Sequence, residues 1–246
     1  MSAGVLESVL DALGGAGGGK RRRWKGNRRV GWLEELIDAV MRWIRTKVRG
    51  YVGEKVLETR LRWELAGTGA VVKGPFMVRR EDGQGTTEID GLVVGPTGVY
   101  VLEAKTYVGE ISGGPDDKEW KQILSKKTKR KFQNPLHQNY GHRQVISWLA
   151  GRRELGWAVE GIVAFSGEAK FRDKRPKGVM NFNEVAAYIK GKERRRLLTA
   201  EEVAGVVSRV DAAINAVTRE EKRNHVKRLK ERRERLEKME AQKGTE

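Results

Sequence analysis

The sequence predicts an α/β (α+β) protein built on a central mixed β-sheet with helices on both faces. Three observations carry this reading. Residues 86–109 contain two apolar, β-branched runs joined by Gly95-Pro96-Thr97-Gly98, which is a hairpin signal. Both faces of those runs are apolar, so the strands must be covered on both sides. Helical periodicity flanks the hairpin, with Leu57, Leu61 and Leu65 before it and an Asn134-Pro135 helix start after it.

In chain order, residues 1–30 read as a flexible basic arm. A short apolar face (Val5, Leu6, Val9, Leu10, Leu13) is broken by glycines 14–19 and followed by Lys20-Arg21-Arg22-Arg23-Trp24-Lys25. Such an arm either grips phosphates or stays disordered. Residues 31–50 form an amphipathic helix with Leu33, Leu36, Ile37, Val40 and Ile44 on one side. A core domain is placed at 51–190. Its first helix runs to about Leu65, and extending its stripe backwards adds Glu54 at spacings of three, four and four. A first-turn glutamate facing solvent would also suit the helix dipole.

Residues 71–80 read as one strand, and residues 81–85 as the turn into the hairpin. A two-residue loop, Pro96-Thr97, pairs residues whose numbers sum to 193. Asp90 then lies opposite Glu103 and Glu88 opposite Lys105, and directly opposed residues share a face. The reverse face carries Ile89, Val93, Tyr100, Leu102 and Ala104. A three-residue loop with Gly98 in a bulge would shift the pairing by one and separate Asp90 from Glu103.

Residues 109–117 are a loop, and 120–132 an exposed strand or hairpin edge bearing Lys126, Lys127, Lys129, Arg130 and Lys131. Edge lysines guard against aggregation, or these contact DNA. The helix from Asn134 to about Leu149 aligns Gln138, His142, Val145 and Leu149; the histidine is read as packing. A strand at 156–165, a basic loop at 170–177, a short strand at 179–182 and a small helix at 183–189 follow. Thr199-Ala200-Glu201-Glu202 is a capping box that opens a helix, within 191–218, packed on the core through Val203, Val207, Val210, Ile214 and Val217. Residues 219–246 are a charged helical or disordered tail. The molecule thus has helical extensions at both ends.

Composition limits the chemistry. The chain of 246 residues has no cysteine, which excludes disulfides, zinc–thiolate sites and thiol nucleophiles. No apolar stretch reaches the ~18 residues of a membrane span, and no signal peptide is evident, so a cytoplasmic protein without stable membrane insertion is expected. The net charge of +17 is uneven. Residues 51–105 hold 7 basic and 8 acidic side chains, against 11 and 5 in residues 1–50 and 12 and 6 in residues 151–200. A basic surface around a locally acidic site suits an anionic polymer held near a bound cation.

The acidic site follows from the hairpin. Buried charges are rare unless paired or bound to metal, and Glu88, Asp90, Glu103 and Lys105 interrupt an apolar core. Magnesium favours one or two carboxylates plus waters and substrate oxygens; Asp90 and Glu103 supply such a platform. Lys105 could orient water or stabilise phosphate charge, and Glu54 could complete the outer shell. A structural ion-pair cluster, Glu88 with Lys105, is the competing account.

Gly53-Glu54, Glu88-Ile89-Asp90, Gly98, Glu103-Ala104-Lys105, Gly109, Trp120, Asn134-Pro135 and Gln138 occur in this order over some 115 residues. In this ordered set the chain resembles the nuclease-related domain (NERD), a branch of the PD-(D/E)XK nuclease superfamily. The superfamily's proline is replaced by Ile89. The resemblance implies a restriction-endonuclease-like core: a helix, an antiparallel meander, a second helix and a further parallel strand. It also implies that Asp90 and Glu103 bind a divalent metal, that Lys105 is catalytic, and that Glu54 and Gln138 are accessory site residues; the expected ion is Mg²⁺, with Mn²⁺ as an alternative. The expected function is a metal-dependent nuclease acting on DNA. A non-catalytic DNA-binding protein on the same fold, or a membrane-peripheral scaffold using residues 32–44, are the other readings. A homo-oligomer is compatible with any of them.

Overall fold

The computed structural model describes residues 52–151, 159–167, 169–192 and 196–243, all within one compact unit, Thr46–Glu246. The expected arm and amphipathic helix, residues 1–50, lie outside the described residues. Helix α1 spans residues 52–64. Eleven strands follow in order with three helices: β1 (Val71–Lys73), β2 (Phe76–Arg79), β3 (Thr86–Ile89), β4 (Gly91–Gly95), β5 (Gly98–Lys105), β6 (Gly109–Ser112), β7 (Glu119–Ile123), β8 (Lys129–Gln133), α2 (Pro135–Leu149), β9 (Val159–Phe165), β10 (Ala169–Phe171), β11 (Val179–Asn181), α3 (Phe182–Lys190) and α4 (Ala200–Asn215). A final helix, α5, is Arg219–Lys243.

The central sheet has the order β1-β4-β5-β9-β11. Strand β5 pairs antiparallel with β4 and parallel with β9, so the sheet is mixed. Burial on both faces explains the continuous apolar runs of β4 and β5, whose residues from Gly91 to Gly95 and from Gly98 to Glu103 are all buried. One face packs Val93, Tyr100 and Leu102 against Leu57 and Leu61 of α1, Leu65 just after it, and Val185 and Ile189 of α3. The other packs Leu92, Val94, Val99 and Val101 against Val145 and Ile146 of α2 and Val203, Val206 and Val210 of α4. A second sheet, β10-β6-β7-β8, closes over a third cluster in which Trp120 stacks on Phe165 with ring centroids 6.2 Å apart.

The two-residue turn and its register hold for Gly91↔Leu102 through Gly95↔Gly98. They stop at Asp90. There the chain leaves the central sheet, and β3 pairs instead with β2 in a separate two-stranded ribbon. Glu88 therefore does not lie opposite Lys105, and it is exposed. The same break rotates Ile89 onto the face of Leu92, the opposite of the expected side. The single strand expected over 71–80 is likewise two strands in two sheets, separated by a cis Gly74–Pro75 bond.

Smaller differences have local causes. The loop expected at 109–117 begins with β6, and the basic loop at 170–177 begins with β10, because these two strands pair with each other in parallel. On α4 the buried stripe uses Val206, with Val207 only packed against the cluster. The Thr199 capping box is present, with its hydroxyl accepting from Glu202 N at 3.2 Å. The charged tail is helical, and its first turns are docked on the ribbon by a bidentate Arg79–Glu221 pair.

Candidate active site

Strand β5 delivers Glu103 and Lys105 to the α2 face near its C-terminal end, two residues apart and hence on one side. Neighbouring β4 begins just after Asp90. The Asp90 side chain turns back onto β5, where Oδ2 accepts a hydrogen bond from Ala104 N at 2.8 Å. So Asp90 and Glu103 meet although they are not ladder partners. Helix α2 brings the third component. Asn134 is fully buried and caps it: Oδ1 accepts from Leu136 N at 2.9 Å, while Nδ2 donates to Gly114, Pro115 and Asp117 carbonyls. Further along, Asn139 Nδ2 donates to Val101 O and Ile162 O, both at 3.0 Å, which fixes α2 axially on β5 and β9.

With α2 so held, Gln138 Oε1 accepts from Lys105 Nζ at 3.1 Å. Lys105 Nζ also donates to Glu103 Oε1. One turn on from Gln138, His142 Nδ1 lies 3.2 Å from Glu103 Oε2. That approach is close but out of hydrogen-bond alignment, and both atoms are buried without a hydrogen-bond partner. The imidazole and the carboxylate thus face each other at short range without a hydrogen bond between them. From the other side of the sheet, α1 presents Glu54. Gly53 lets the helix head abut β5, since a Cβ there would fall 1.9 Å from Thr106 Cγ2. Glu54 is half-buried and close enough to Asp90 for its charge to act there.

The electrostatics separate the three charged groups. Burial, and then repulsion from Glu103, push the Asp90 carboxyl up to about 8, against the lowering effects of the Ala104 N–H and Lys105. For Glu103, burial works upward, but Lys105 and His142 outweigh it and hold the carboxylate below its usual range. Burial works downward on Lys105, yet Glu103 and Asp90 raise it, so the ammonium stays charged. Tyr107, just beyond β5, is raised by burial and feels Lys105 and Glu103.

Asp90, Gln138 and His142 line a cleft of about 840 Å³. Its walls are the β2–β3 turn, α2 and α5, including Arg80, Glu88, His137, His225 and Arg228. Glu103 lies fully buried beneath this floor. The donor set fits a hard divalent cation. Two carboxylates adjoin, one Glu103 oxygen has no hydrogen bond, and burial with the Glu103 charge raises the Asp90 carboxyl, which a cation between the two would offset. Among the described residues no three His, Asp or Glu side chains form a metal cage. An ion held by Asp90 and Glu103 would complete its shell from water and substrate, as Mg²⁺ does.

The structure thus gathers Glu54, Asp90, Glu103, Lys105 and Gln138 at one place. It does not bring Lys126, Lys127, Lys129, Arg130 and Lys131 there. They are exposed around the β7–β8 turn of the second sheet, and none lines the cleft. The sequence reading missed His142 as a partner of Glu103. Its signal was present, one helical turn after Gln138 on the same stripe. It also missed Asn139, whose partners are backbone groups and leave no mark in a side-chain pattern.

Comparison with known proteins identifies this region. Residues 49–166 match the model of the nuclease-related domain, NERD, and the chain carries that domain. Over 103 residues it is 41% identical to an uncharacterized protein of Bacillus anthracis, covering 42% of this chain and 47% of the relative. The chain spans about half the length of that relative. No solved structure matches. Among the described residues no helix is long and apolar enough to cross a membrane.

Proposed function

We propose that this chain, bearing a nuclease-related domain, is a metal-dependent nuclease that hydrolyses phosphodiester bonds, with DNA as its substrate. The observation that carries this reading is the convergence of Asp90, Glu103, Lys105 and Gln138 beneath one cleft. A pure binding surface gains nothing from carboxylates where phosphates must approach. Asp90 and Glu103 would hold Mg²⁺, or Mn²⁺ in its place. When bound, such an ion supplies Lewis acidity, lowers the pKa of a water and orients the phosphate.

The protein's own groups divide the remaining work. Lys105 stays protonated, so it acts as a positive charge and hydrogen-bond donor toward phosphate or water, and does not abstract a proton. Gln138 accepts a second hydrogen bond from the Lys105 ammonium and helps to fix it. His142 lies 3.2 Å from the second Glu103 oxygen and adds a polar neighbour on that side. Glu54 lies near Asp90 and can accept a hydrogen bond from a water beside it. The lysine-rich β7–β8 turn is assigned a contact with nucleic acid outside the cleft.

The test is cleavage of linear, circular and single-stranded DNA and of RNA with Mg²⁺, Mn²⁺ or EDTA. Asp90→Ala, Glu103→Ala and Lys105→Ala are expected to lose cleavage by at least about 10²-fold while retaining much of the binding. Metal-dependent cleavage that persists in all three variants would sink the assignment. Strong, salt-sensitive DNA binding without products under any ion would instead support the non-catalytic reading.

A further inference from the structure

The cleft wall facing the carboxylates is helix α5, which lies outside the matched residues 49–166. Its docking is specific. Thr218 and Glu221 cap its start, with Glu221 N donating to Thr218 Oγ1 at 3.1 Å and Thr218 N to Glu221 Oε2 at 2.8 Å. Glu221 also receives the Arg79 guanidinium, at 2.8 and 3.1 Å. One turn on, His225 Nδ1 lies 3.0 Å from Thr86 O and 3.2 Å from Thr86 Oγ1. These contacts set the helix along the ribbon and turn His225, Arg228 and Leu229 into the cleft.

Arg228 stands out within this wall. Its guanidinium lies over the β2–β3 turn at Gly85, whose backbone has φ +94°; a Cβ at that position would fall 1.9 Å from Arg228 Nη1. The turn therefore makes a cradle that only glycine allows. Yet the guanidinium is poorly satisfied there. Its contact with Gln84 O is long, at 3.5 Å, and among the described residues no carboxylate comes within 4 Å of it. Arg80, also at the rim, is by contrast already paired with Asp82 at 3.4 Å. The opposing side is acidic, with Asp90 in the floor and Glu88 beside it. A phosphodiester placed between them would meet the carboxylate-held cation on one side and a planar bidentate donor on the other.

We infer that α5 is the phosphate-gripping wall of the substrate groove and that Arg228 is its contact with the nucleic-acid backbone. This rests on the nuclease reading of the cleft and adds the chain's C-terminal helix to the substrate site. Glu88, exposed in the same cleft, disfavours a free polyanion there, so the grip on the rim governs binding in the absence of a cation.

The experiment uses the full chain. Anisotropy of labelled single-stranded and duplex oligonucleotides is measured in EDTA between 50 and 200 mM salt, and cleavage with Mg²⁺ is measured in parallel. Arg228→Gln is expected to weaken binding by about tenfold at low salt and to reduce the salt slope by about one. Arg228→Lys falls between it and the wild type. Lys190→Gln, an exposed cation on α3 away from the cleft, leaves both quantities unchanged. In cleavage Arg228→Gln raises KM with little change in kcat. Gly85→Ala, which displaces the guanidinium, reproduces the Arg228→Gln pattern. Binding within twofold of wild type for Arg228→Gln overturns the inference while an active wild type leaves the nuclease reading standing. Faster cleavage or tighter binding in Glu221→Ala or His225→Ala also overturns it, because α5 would then be a barrier. A wild type that neither binds nor cleaves any oligonucleotide removes both the nuclease reading and this inference.

Discussion

Replacing Asp90 by Asn is expected to stabilise the metal-free protein by an amount that grows with pH. Burial and the Glu103 charge move the Asp90 carboxyl from 3.8 to about 8 in the folded chain. The unfolded chain ionises it at its ordinary value. Between those two limits the folded state binds more protons than the unfolded one, so wild-type stability falls as pH rises across the window. Each pH unit corresponds to about 1.4 kcal/mol. At pH 7 the ceiling is thus about 4 kcal/mol, and water penetration and relaxation around a cleft-lining group reduce this to about 2 kcal/mol. Asn keeps an oxygen acceptor for the Ala104 N–H and carries no charge to bury. Urea titrations in EDTA at pH 4, 5.5, 7 and 8.5 read the difference directly. The two proteins should agree at pH 4, diverge through pH 7 and differ by a constant amount beyond about pH 8. Equal stability at pH 7, or a more stable wild type, would refute the electrostatic account of the site. Adding Mg²⁺ should reverse the order, since an ion that binds only the folded wild type adds RT ln(1 + [L]/Kd).

Three further outcomes follow from the same contacts. Lys105→Met leaves the fully buried Glu103 without its cation and is expected to cost about 3–5 kcal/mol in denaturant unfolding, most of it recovered in the Lys105→Met/Glu103→Gln double variant. Asn139→Leu removes both donors to Val101 O and Ile162 O, and about 2–4 kcal/mol of stability should go with them; thermal melts that match wild type would show that α2 is held otherwise. Gly53→Ala drives a methyl into Thr106 and should lower cleavage by displacing α1. Gly53→Ala/Thr106→Ser, which deletes the Cγ2 that the added methyl would strike, should restore most of it.

Much of this was legible because local rules and tertiary demands agree. The Leu57, Leu61, Leu65 stripe, the Asn134-Pro135 start, the Thr199 capping box and the β4–β5 turn all have short-range signatures, and all four are found. The meeting of Asp90 with Glu103 was foreseen, but its means was not. The reading placed them as ladder neighbours, whereas the ladder ends at Gly91 and a side-chain bond to Ala104 N makes the contact. Period-two alternation cannot reveal such a break, because Thr86 to Val94 reads as one strand on either side of it. Docking of α5 was illegible for a different reason. Arg79 and Glu221 are 142 residues apart, and a charged pair on a polar helix looks the same whether it meets solvent or a partner.

The break at Asp90 has one more consequence. Glu103 is carried by the middle strand of the five-stranded sheet, while Asp90 hangs at the joint between that sheet and the β2–β3 ribbon. The ribbon's outer end is the part clasped by α5 through Thr86 and Arg79. The two backbones that carry the carboxylates therefore belong to different sheets, one the middle of five strands and the other the end of a two-stranded ribbon. The Asp90–Ala104 hydrogen bond is thus the stitch that brings the ribbon's carboxylate to the sheet's.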